Sequence, residues 1–418
     1  MKVERLIVEI TTSCNFSCFF CPVHSSEYNN NSKIMSFSSF KRLVNLYAHI
    51  KSLVFSGFGE PLLNPEILDM VQFAKKQMAS SSVIAIQTNG ALLSEAYAVK
   101  LVEAGVGKFC ISIDTFKDSP GHSGEYALNA LGVLKNLKKT KDFLIGIETV
   151  ITKDNIEELP DLINRVFSYN IDFVLISHLI PYSKDIALKV LYDTNNIDSV
   201  NIYNKWLNVL YEKGYTIEDW FDIAKKMAGE GVEYNEEVYK LYKGMYDEAQ
   251  SYGLTLNLTK LVKIDDVTIK RTEEVLNDIR KICEAKGVYY KIPGVHPKSK
   301  RSCEFIEEKC LFVSVDGEVT PCYFLWHSFS CYIAQLKKSV KRLSFGNVNE
   351  VSPVEICESS NYKKFREAVL KYEFPYCYDC NFALCDLMEL KNFVHDCYSN
   401  EIPCGACLWC GGLFYCMI

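Results

Sequence analysis

The sequence predicts an α/β protein with a parallel β-sheet, closed or partly closed, followed by a helical region and a cysteine-rich C-terminal segment. Three observations lead to this prediction. Short apolar runs alternate with helical patterns over the first 180 residues, residues 184–290 are rich in Tyr, Lys and Glu, and 13 of the 18 cysteines lie between residues 303 and 416. Repeated strand–helix units of this kind build parallel sheets that are covered by helices.

Six apolar runs in the first part of the chain are rich in β-branched or aromatic residues, as expected for parallel strands that are buried on both faces. The predicted strands are residues 6–10, 52–57, 83–88, 108–114, 143–151 and 173–180. Helical patterns separate these strands, and several of them begin with start signals such as Asn64-Pro65 and Ser94. The predicted helices are residues 36–49, 64–79, 94–104, 124–139 and 155–168.

Residues 184–290 predict mostly helices, with residues 254–258 (LTLNL) as a possible further strand. This region either covers the open side of the sheet as a structural layer or shapes a substrate site. Residues 311–322 predict a β-hairpin that turns at Asp316-Gly317, because Asp-Gly suits a tight turn between two strands. Residues 361–371 predict a helix. The cysteine-rich remainder cannot bury much apolar core, so metal clusters would have to organise it.

Charge and hydropathy exclude several classes of protein. The chain has 46 Lys and Arg against 52 Asp and Glu, a net charge of −6, which argues against general nucleic-acid binding. No stretch approaches the roughly 20 apolar residues that a membrane helix needs, and the N-terminus has no signal-peptide pattern. We therefore expect a cytoplasmic protein that binds neither nucleic acid nor membrane. In a reducing cytosol, its two dense groups of cysteines predict metal or cluster ligands rather than disulfides.

The most specific motif is Cys14-X3-Cys18-X2-Cys21, which directly follows the first predicted strand. A loop of this spacing wraps three thiolates around one point. A [4Fe–4S] cluster usually takes four thiolates, so three leave one iron open for a small-molecule ligand. The alternatives are a zinc knuckle and three buried structural cysteines.

This motif resembles that of the radical S-adenosylmethionine (SAM) superfamily. The resemblance implies that Cys14, Cys18 and Cys21 hold a [4Fe–4S] cluster that cleaves SAM, and that Phe20 lies near the adenine. The segment Ser56-Gly57-Phe58-Gly59-Glu60-Pro61 resembles the family's GGE motif, which binds the methionine amino group. It departs from that motif at Phe58, and the resemblance carries over Gly59 and Glu60.

Further polar residues stand at the ends of the predicted strands, where parallel α/β folds bind their ligands. Asn89, after the third strand, is a predicted SAM contact by this location, and the resemblance implies contacts near the ribose at Ser112 and Asp114, which end the fourth strand. A catalytic base is not identifiable from the sequence. The candidates by location are Asp114, Glu148, His178 and Tyr182.

The C-terminal cysteines resemble the SPASM extension, which carries auxiliary iron–sulfur clusters in radical SAM maturases. The resemblance implies that Cys303, Cys310 and Cys322 hold a first auxiliary cluster with one late cysteine, and that Cys377 and Cys380 begin a second. Because an insertion separates the later cysteines, the remaining ligands are taken from Cys385, Cys397, Cys404, Cys407 and Cys416. Cys331, Cys357 and Cys410 have lower priority. A zinc-binding tail is the alternative.

The resemblance implies a partial (β/α)6 TIM-like barrel at residues 1–183, a mainly helical region at 184–300 and a SPASM-like domain at 301–418. The segment 55–63 (FSGFGEPLL), the tripeptide 180–182 (IPY) and the C-terminal end of the chain resemble the radical SAM/SPASM proteins that accompany tungsten-containing aldehyde oxidoreductases. Where these relatives have Ala after CLW, this chain has Cys410.

This resemblance implies an enzyme that forms a 5′-deoxyadenosyl radical from SAM and modifies a protein, peptide or cofactor. The substrate would belong to a tungsten-containing oxidoreductase, and a one-electron donor such as ferredoxin or flavodoxin would reduce the cluster. Two alternatives stay open. One is a peptide maturase that forms thioether, carbon–carbon or epimerised products, and the other is a non-catalytic iron–sulfur or zinc protein.

Overall fold

The computed structural model of the protein describes residues 2–24, 32–117, 124–227, 229, 231, 233–334, 336–377, 380 and 393–417. Within these residues, the main sheet has nine strands in the order β7-β6-β5-β4-β3-β2-β1-β8-β9. All neighbouring strands are parallel except β8 and β9, which are antiparallel. The strands are β1 Arg5–Val8, β2 Ser52–Phe55, β3 Val83–Thr88, β4 Val106–Ser112, β5 Leu144–Ile151, β6 Phe173–His178, β7 Tyr289–Lys291, β8 Cys310–Val313 and β9 Val319–Thr320.

The helices between the first six strands make the connections that parallel strands require. They are α1 Phe37–Lys41, α2 Val44–Tyr47, α3 Ile67–Gln77, α4 Glu95–Ala104, α5 Gly124–Leu137 and α6 Leu159–Val166. The predicted α/β architecture of strands alternating with helices is therefore confirmed. The predicted start signal at Ser94 is also present, because its side chain accepts a hydrogen bond from the Tyr97 amide and caps α4.

The middle of the chain forms the helices α7 Lys184–Ala187, α8 Ile197–Glu212, α9 Ile217–Met227, α10 Glu236–Ser251, α11 Leu258–Leu261 and α12 Asp266–Lys286. The prediction of a strand at residues 254–258 is wrong. Asn257 caps α11 by accepting a hydrogen bond from the Lys260 amide, and Leu256, Leu258 and Leu261 pack into the apolar core of α8, α9 and α10. The apolar residues of this run serve helix packing, a context that short-range alternation does not reveal.

The C-terminal segment (residues 301–418) is not separate from the sheet. The predicted hairpin is confirmed, with β8 paired to β9 and Gly317 in the turn at φ 88°. In addition, β8 pairs parallel to β1, with Arg5 opposite Cys310. The other elements of this segment are α13 Glu304–Glu307, β10 Phe329–Ile333, β11 Leu336–Val340, α14 Pro353–Glu358 and α15 Ser360–Lys371.

Two apolar layers lie on the two faces of the sheet. On β1, Leu6 and Val8 pack into the large core shared with the surrounding helices, whereas Ile7 packs on the opposite face. This opposite face, here called the inner face, is covered by residues of the C-terminal segment, including Phe312 and Tyr323. This segment therefore covers the face of the sheet that lies opposite the helices. In the described part of the chain, no helix is both long and apolar enough to cross a membrane.

Candidate functional site

The loop after β1 brings Cys14, Cys18 and Cys21 together, and each is partly buried. The Cys21 amide donates to the Cys18 carbonyl at 3.0 Å, and the Phe16 amide donates to Cys14 Sγ at 3.4 Å. Burial raises the pKa of Cys18 to about 12, with further contributions from Asp114 and the two other thiols, and burial raises the pKa of Cys21 to about 11. In the absence of a metal these thiols are therefore protonated at neutral pH, and a metal must displace the protons when it binds.

A cavity of about 220 Å³ opens beside these thiols. The residues that line it come from the cysteine loop and from the ends of β2, β3, β4 and β5. They include all the residues that were predicted to bind SAM or the SAM-cleaving cluster, namely Cys14, Cys18, Phe20, Cys21, Gly59, Glu60, Asn89, Ser112 and Asp114. A parallel sheet brings these distant segments to one edge because its strands all end on the same side.

The Glu60 carboxylate is buried and held by three donors at the edge of this cavity. Oε1 accepts from the Leu62 amide at 3.1 Å and from Thr88 Oγ1 at 2.7 Å, and Oε2 accepts from the Asn89 amide at 2.8 Å. Burial raises the pKa of Glu60, and these hydrogen bonds oppose that increase. A cation bound beside Glu60 would favour the ionised form further.

Gly59 stands where two loops approach each other closely. A Cβ atom at this position would collide with the backbone carbonyls of Thr11 and Ser13 in the cysteine loop. The next amide, that of Glu60, donates to the Ser13 carbonyl at 2.8 Å. A residue without a side chain is therefore needed at position 59 to hold the two loops together.

Glu148 on β5 also lines this cavity. Ser56 Oγ donates to Gln87 Oε1 at 2.9 Å, so the Gln87 amide nitrogen is available as a donor to the Glu148 carboxylate. The other oxygen, Oε2, is buried and has no hydrogen-bond partner among the described residues. Burial, with a smaller contribution from Asp114, raises the pKa of Glu148 to about 8.

We expect Glu148→Gln to remove a pH-dependent loss of stability. The folded-state pKa of Glu148 is about 8, against an ordinary 4.5, so its neutral form stabilises the fold at low pH and this stability is lost as the pH rises through that interval. When the pH is raised from 6 to 8.5, the free energy of unfolding of the unmodified protein should fall by about 2 kcal/mol more than that of the variant. Thermal unfolding of both at the two pH values, without SAM, measures this difference; an equal loss in both would contradict it.

His178 and Tyr182, two base candidates by location, do not line the cavity. His178 Nε2 bonds to the Gly294 carbonyl at 2.7 Å, and burial lowers the pKa of His178 to about 4. The Tyr182 ring packs edge-on against Phe329, with 5.4 Å between the ring centres. Both residues therefore join β6 and the segment after it to neighbouring parts of the fold.

A second group of thiols lies in the C-terminal segment. Its members are buried and interact electrostatically with one another: Cys303, Cys322, Cys404, Cys407 and Cys410. The amides of Trp409 and Cys410 donate to the Cys407 sulfur, and the Cys410 thiol lies within hydrogen-bonding reach of Cys303 and Cys407. The hydrogen bonds from Cys410 lower the pKa of Cys407 despite its burial. Amide donors of this kind support thiolate ligands of iron–sulfur clusters.

Arg301 is a buried cation beside this thiol group. Its guanidinium donates to the Phe374 carbonyl at 2.6 Å and lies 3.4 Å from the centre of the Tyr376 ring. Its Nε has no hydrogen-bond partner, and no carboxylate pairs with it, among the described residues. A buried charge needs a counter-charge, and the neighbouring thiols Cys404 and Cys407 supply one once they bind metal as thiolates. The residues present therefore fit an anionic metal–thiolate centre.

The remaining predicted cysteine ligands lie in different surroundings. Cys310 is near Cys303 and Arg5, and Cys377 lies against the second thiol group because its amide donates to the Gly405 carbonyl at 3.0 Å. The Cys380 carbonyl accepts from Asn257 Nδ2 at 2.9 Å, and Cys397 is exposed. Cys385 lies outside the described residues.

Cys416 lies apart, on the inner face of the sheet. Its sulfur accepts from Trp409 Nε1 at 3.4 Å and lies near Glu148.

Across the described parts of the chain, no three His, Cys, Asp or Glu side chains are arranged to hold a single metal ion.

Sequence reasoning gave Cys410 low priority and did not identify Arg301. The signal for Cys410 was present, since Cys407-X2-Cys410 repeats the spacing of Cys18-X2-Cys21. No sequence signal marks Arg301, because its role depends on burial and on the carbonyls that surround it.

Comparison with known proteins identifies two matching families. Residues 8–166 match the radical SAM superfamily model, and residues 303–381 match the SPASM model, an iron–sulfur cluster-binding domain. The chain is 27% identical over 429 residues to the tungsten-containing aldehyde ferredoxin oxidoreductase cofactor-modifying protein of Pyrococcus furiosus, covering 100% of this chain and 98% of that protein. A probable GTP 3′,8-cyclase of Methanococcus maripaludis is 35% identical over 117 residues, 27% of this chain and 37% of that protein.

Solved structures show the same fold. The structure of anSMEcpe with bound AdoMet and the Cp18Cys peptide has a TM-score of 0.51 at 16% identity, covering 91% of this chain and 88% of that one. SuiB of Streptococcus suis bound to S-adenosylmethionine has a TM-score of 0.50 at 12% identity, covering 90% of this chain and 69% of that one. At these identities the likeness concerns the fold alone.

Proposed function

We propose, on the premise that this chain is a radical SAM enzyme with a SPASM domain, that its cavity binds a [4Fe–4S] cluster and SAM and that it modifies a protein, peptide or cofactor. The observation that carries this proposal is the meeting of three thiols, the Glu60 carboxylate and the polar ends of β3 and β4 around one cavity. When bound, the cluster and SAM supply reductive cleavage to methionine and a 5′-deoxyadenosyl radical, which abstracts hydrogen from a substrate.

The chain's own residues would bind and orient these groups. Cys14, Cys18 and Cys21 would ligate three irons, with the Phe16 amide supporting the Cys14 sulfur. The buried Glu60 carboxylate would pair with the ammonium group of SAM. Ser112 and Asp114 would contact the ribose. The half-enclosed cavity would limit access of water to the reacting atoms.

Deoxyadenosine formation tests this proposal. Anaerobically reconstituted protein, reduced with dithionite and given SAM, should form 5′-deoxyadenosine and methionine. A protein with a fully assembled cluster that forms neither would contradict the proposal and favour a non-catalytic iron–sulfur protein.

We expect Glu60→Gln to weaken SAM binding by about tenfold or more, because it removes a charged partner of the ammonium group and places an amide N–H among donors. The SAM concentration for half-maximal deoxyadenosine formation measures this effect. Glu66→Gln is the matched control, since Glu66 lies outside the cavity and accepts from the Phe37 amide at 2.9 Å. An unchanged half-saturation in Glu60→Gln would remove Glu60 from the SAM site.

The substrate we propose belongs to the maturation of a tungsten-containing oxidoreductase. Support comes from the similarity to the Pyrococcus furiosus cofactor-modifying protein, which extends over nearly the whole of both chains. We expect a neighbouring gene for such an oxidoreductase, and faster deoxyadenosine formation when that apoprotein is added. A neighbouring gene for a short peptide, with the peptide stimulating turnover instead, would favour peptide maturation. A ferredoxin or flavodoxin would supply the electron, and the protein would act in the cytoplasm, where thiols stay reduced and can bind clusters.

We assign radical formation to residues 1–183, a covering layer to 184–300 and auxiliary clusters to 301–418. The first auxiliary cluster would take its ligands from the buried group that contains Cys303, Cys322, Cys407 and Cys410. Cys404 would join Cys377 and Cys380 in a second cluster, supported by the contact between Cys377 and Gly405. Arg301 would offset the negative charge of these centres.

A further inference from the structure

Phe58 occupies the position before Gly59 and Glu60, and its ring packs against the C-terminal segment. The ring centre lies 4.2 Å from that of Trp326, in an edge-on arrangement at 69°, and 4.9 Å from that of His327, stacked at 22°. Aromatic pairs in these geometries stabilise their contact beyond simple burial. The side chain of Phe58 therefore attaches the loop after β2 to a segment more than 260 residues later in the chain.

The backbone of Phe58 is held by a second contact that leads to the same segment. Its amide donates to Glu9 Oε1 at 3.0 Å, and Glu9 is fully buried at the end of β1. The other oxygen of Glu9, Oε2, accepts from the Val315 amide at 3.2 Å and bonds to His327 Nε2 at 2.9 Å. A Cβ atom on Gly57 would collide with the Glu9 side chain, so a glycine there permits this contact.

The hydrogen-bond partners of His327 indicate which ring nitrogen donates and which accepts. Arg342 Nη2 lies 2.8 Å from His327 Nδ1, and a guanidinium can only donate. Nδ1 is therefore the acceptor, and the imidazole donates its proton on Nε2 to Glu9. Arg342 is itself held in place because it donates to Asp316 Oδ2 at 2.9 Å and to the Trp326 carbonyl at 2.8 Å. These contacts orient the His327 ring so that Nε2 points towards Glu9.

We propose that Phe58, Glu9 and His327 form a clamp by which the C-terminal segment positions the SAM-binding loop. One end of this loop is fixed by the clamp at Phe58. The other end is fixed at Glu60, whose amide donates to the Ser13 carbonyl at 2.8 Å and whose carboxylate accepts from the Asn89 amide at 2.8 Å. Gly59 lies between the two anchors, so the backbone that faces the cavity is held from both sides.

The clamp makes SAM affinity depend on the C-terminal segment, none of whose described residues lines the cavity. Within the described residues, the cavity lining contains no residue after Val150. The C-terminal segment thus acts on SAM through the position of the loop. Glu9 and His327 lie outside the cavity lining and are positioning residues, whereas Phe58 joins the clamp to the cavity, which it also lines. This inference rests on the proposed binding of SAM in the cavity.

Substitutions at Phe58 test the clamp. Phe58→Gly should raise the SAM concentration for half-maximal deoxyadenosine formation by about tenfold, the effect of losing roughly 1.4 kcal/mol of binding. The rate at saturating SAM and the iron content should stay within about twofold. Phe58→Leu should give a smaller shift of the same kind, and Phe58→Tyr should keep the unmodified value because its ring can stack in the same way. Trp326→Leu, which leaves the cavity lining unchanged, should also raise the half-saturation, and an unchanged value in this variant would reduce the effect of Phe58 to a direct contact with SAM and overturn the clamp. The SAM-dependent change in the EPR spectrum of the reduced cluster should shift in the same proportion.

Phe143→Leu is the matched control. Phe143 is a buried ring that packs on Phe109 with 5.5 Å between centres, outside the cavity lining. This variant should lower thermal stability and leave the SAM half-saturation unchanged. An unchanged half-saturation in both Phe58→Gly and Phe58→Leu, or an equal shift in Phe143→Leu, would overturn the clamp. Absence of deoxyadenosine from the unmodified, cluster-loaded enzyme would instead overturn the proposed function on which the clamp rests.

Discussion

Replacing Cys18 with alanine should abolish 5′-deoxyadenosine formation while leaving the iron of the auxiliary clusters in place. Cys18 is the middle thiol of the loop that borders the cavity, and without it only two of the three proposed ligands remain. The auxiliary thiols lie in a different part of the fold, so their iron should be retained. Deoxyadenosine by chromatography and iron per chain, measured on the same anaerobic preparation, check both parts of this expectation.

Cys283→Ala is the control for this variant. Cys283 is a buried thiol on α12 that packs into the large core between the sheet and the helices. Its loss should change neither product formation nor iron content. Persistent SAM cleavage in Cys18→Ala would overturn the assignment of the N-terminal loop. Loss of nearly all iron would show instead that the clusters assemble cooperatively.

Replacing Cys407 with alanine should remove about four irons per chain, the content of one cluster. The unmodified protein should hold about eight to twelve, from two or three four-iron clusters. Cys407 receives amide hydrogen bonds from Trp409 and Cys410 and interacts with the thiols of Cys322 and Cys404. Its loss removes a proposed ligand from the group and leaves Cys404 as the remaining thiolate beside the Arg301 charge, which should also lower thermal stability.

Cys357→Ala is the matched control in the same segment, because Cys357 is buried on α14 and packs into the large core between the sheet and the helices. Its iron content should equal that of the unmodified protein. A total near four irons per chain in the unmodified protein would remove the auxiliary clusters from this account. Full iron content in Cys407→Ala would place the cluster on the other thiols of the group.

The strands β1 to β6 were predictable because parallel strands buried on both faces are almost continuously apolar, as in residues 83–88, where the prediction and β3 coincide. The hairpin β8–β9 was predictable because Asp316-Gly317 is a local turn signal, and Gly317 has the positive φ that the turn requires. The pairing of β8 with β1 carries no such signal. It joins residues about 300 positions apart in sequence, and only the collapse of the whole chain brings them together.

In the candidate site, too, some features have a local sequence signal and others depend on contacts between distant segments. Local spacing identified Cys14, Cys18 and Cys21, and strand ends identified Asn89, Ser112 and Asp114, because the geometry of a parallel sheet places all such ends at one edge. The environment of Glu148 depended on burial and on the Ser56–Gln87 hydrogen bond, neither of which has a sequence pattern. The grouping of late cysteines depended on an irregular segment whose course no periodicity describes.

The sequence by itself determined that this protein is built around a parallel sheet and carries a three-cysteine loop after its first strand, because both depend on short-range patterns of apolar residues and on fixed spacing. Only the tertiary structure decided that Cys410 joins the buried thiols, that Arg301 lies beside them with no carboxylate partner among the described residues, and that Phe58 connects the loop of Gly59 and Glu60 to the C-terminal segment. Each of these features is a contact between segments far apart in the chain, and its strength comes from burial and geometry that exist only in the folded state.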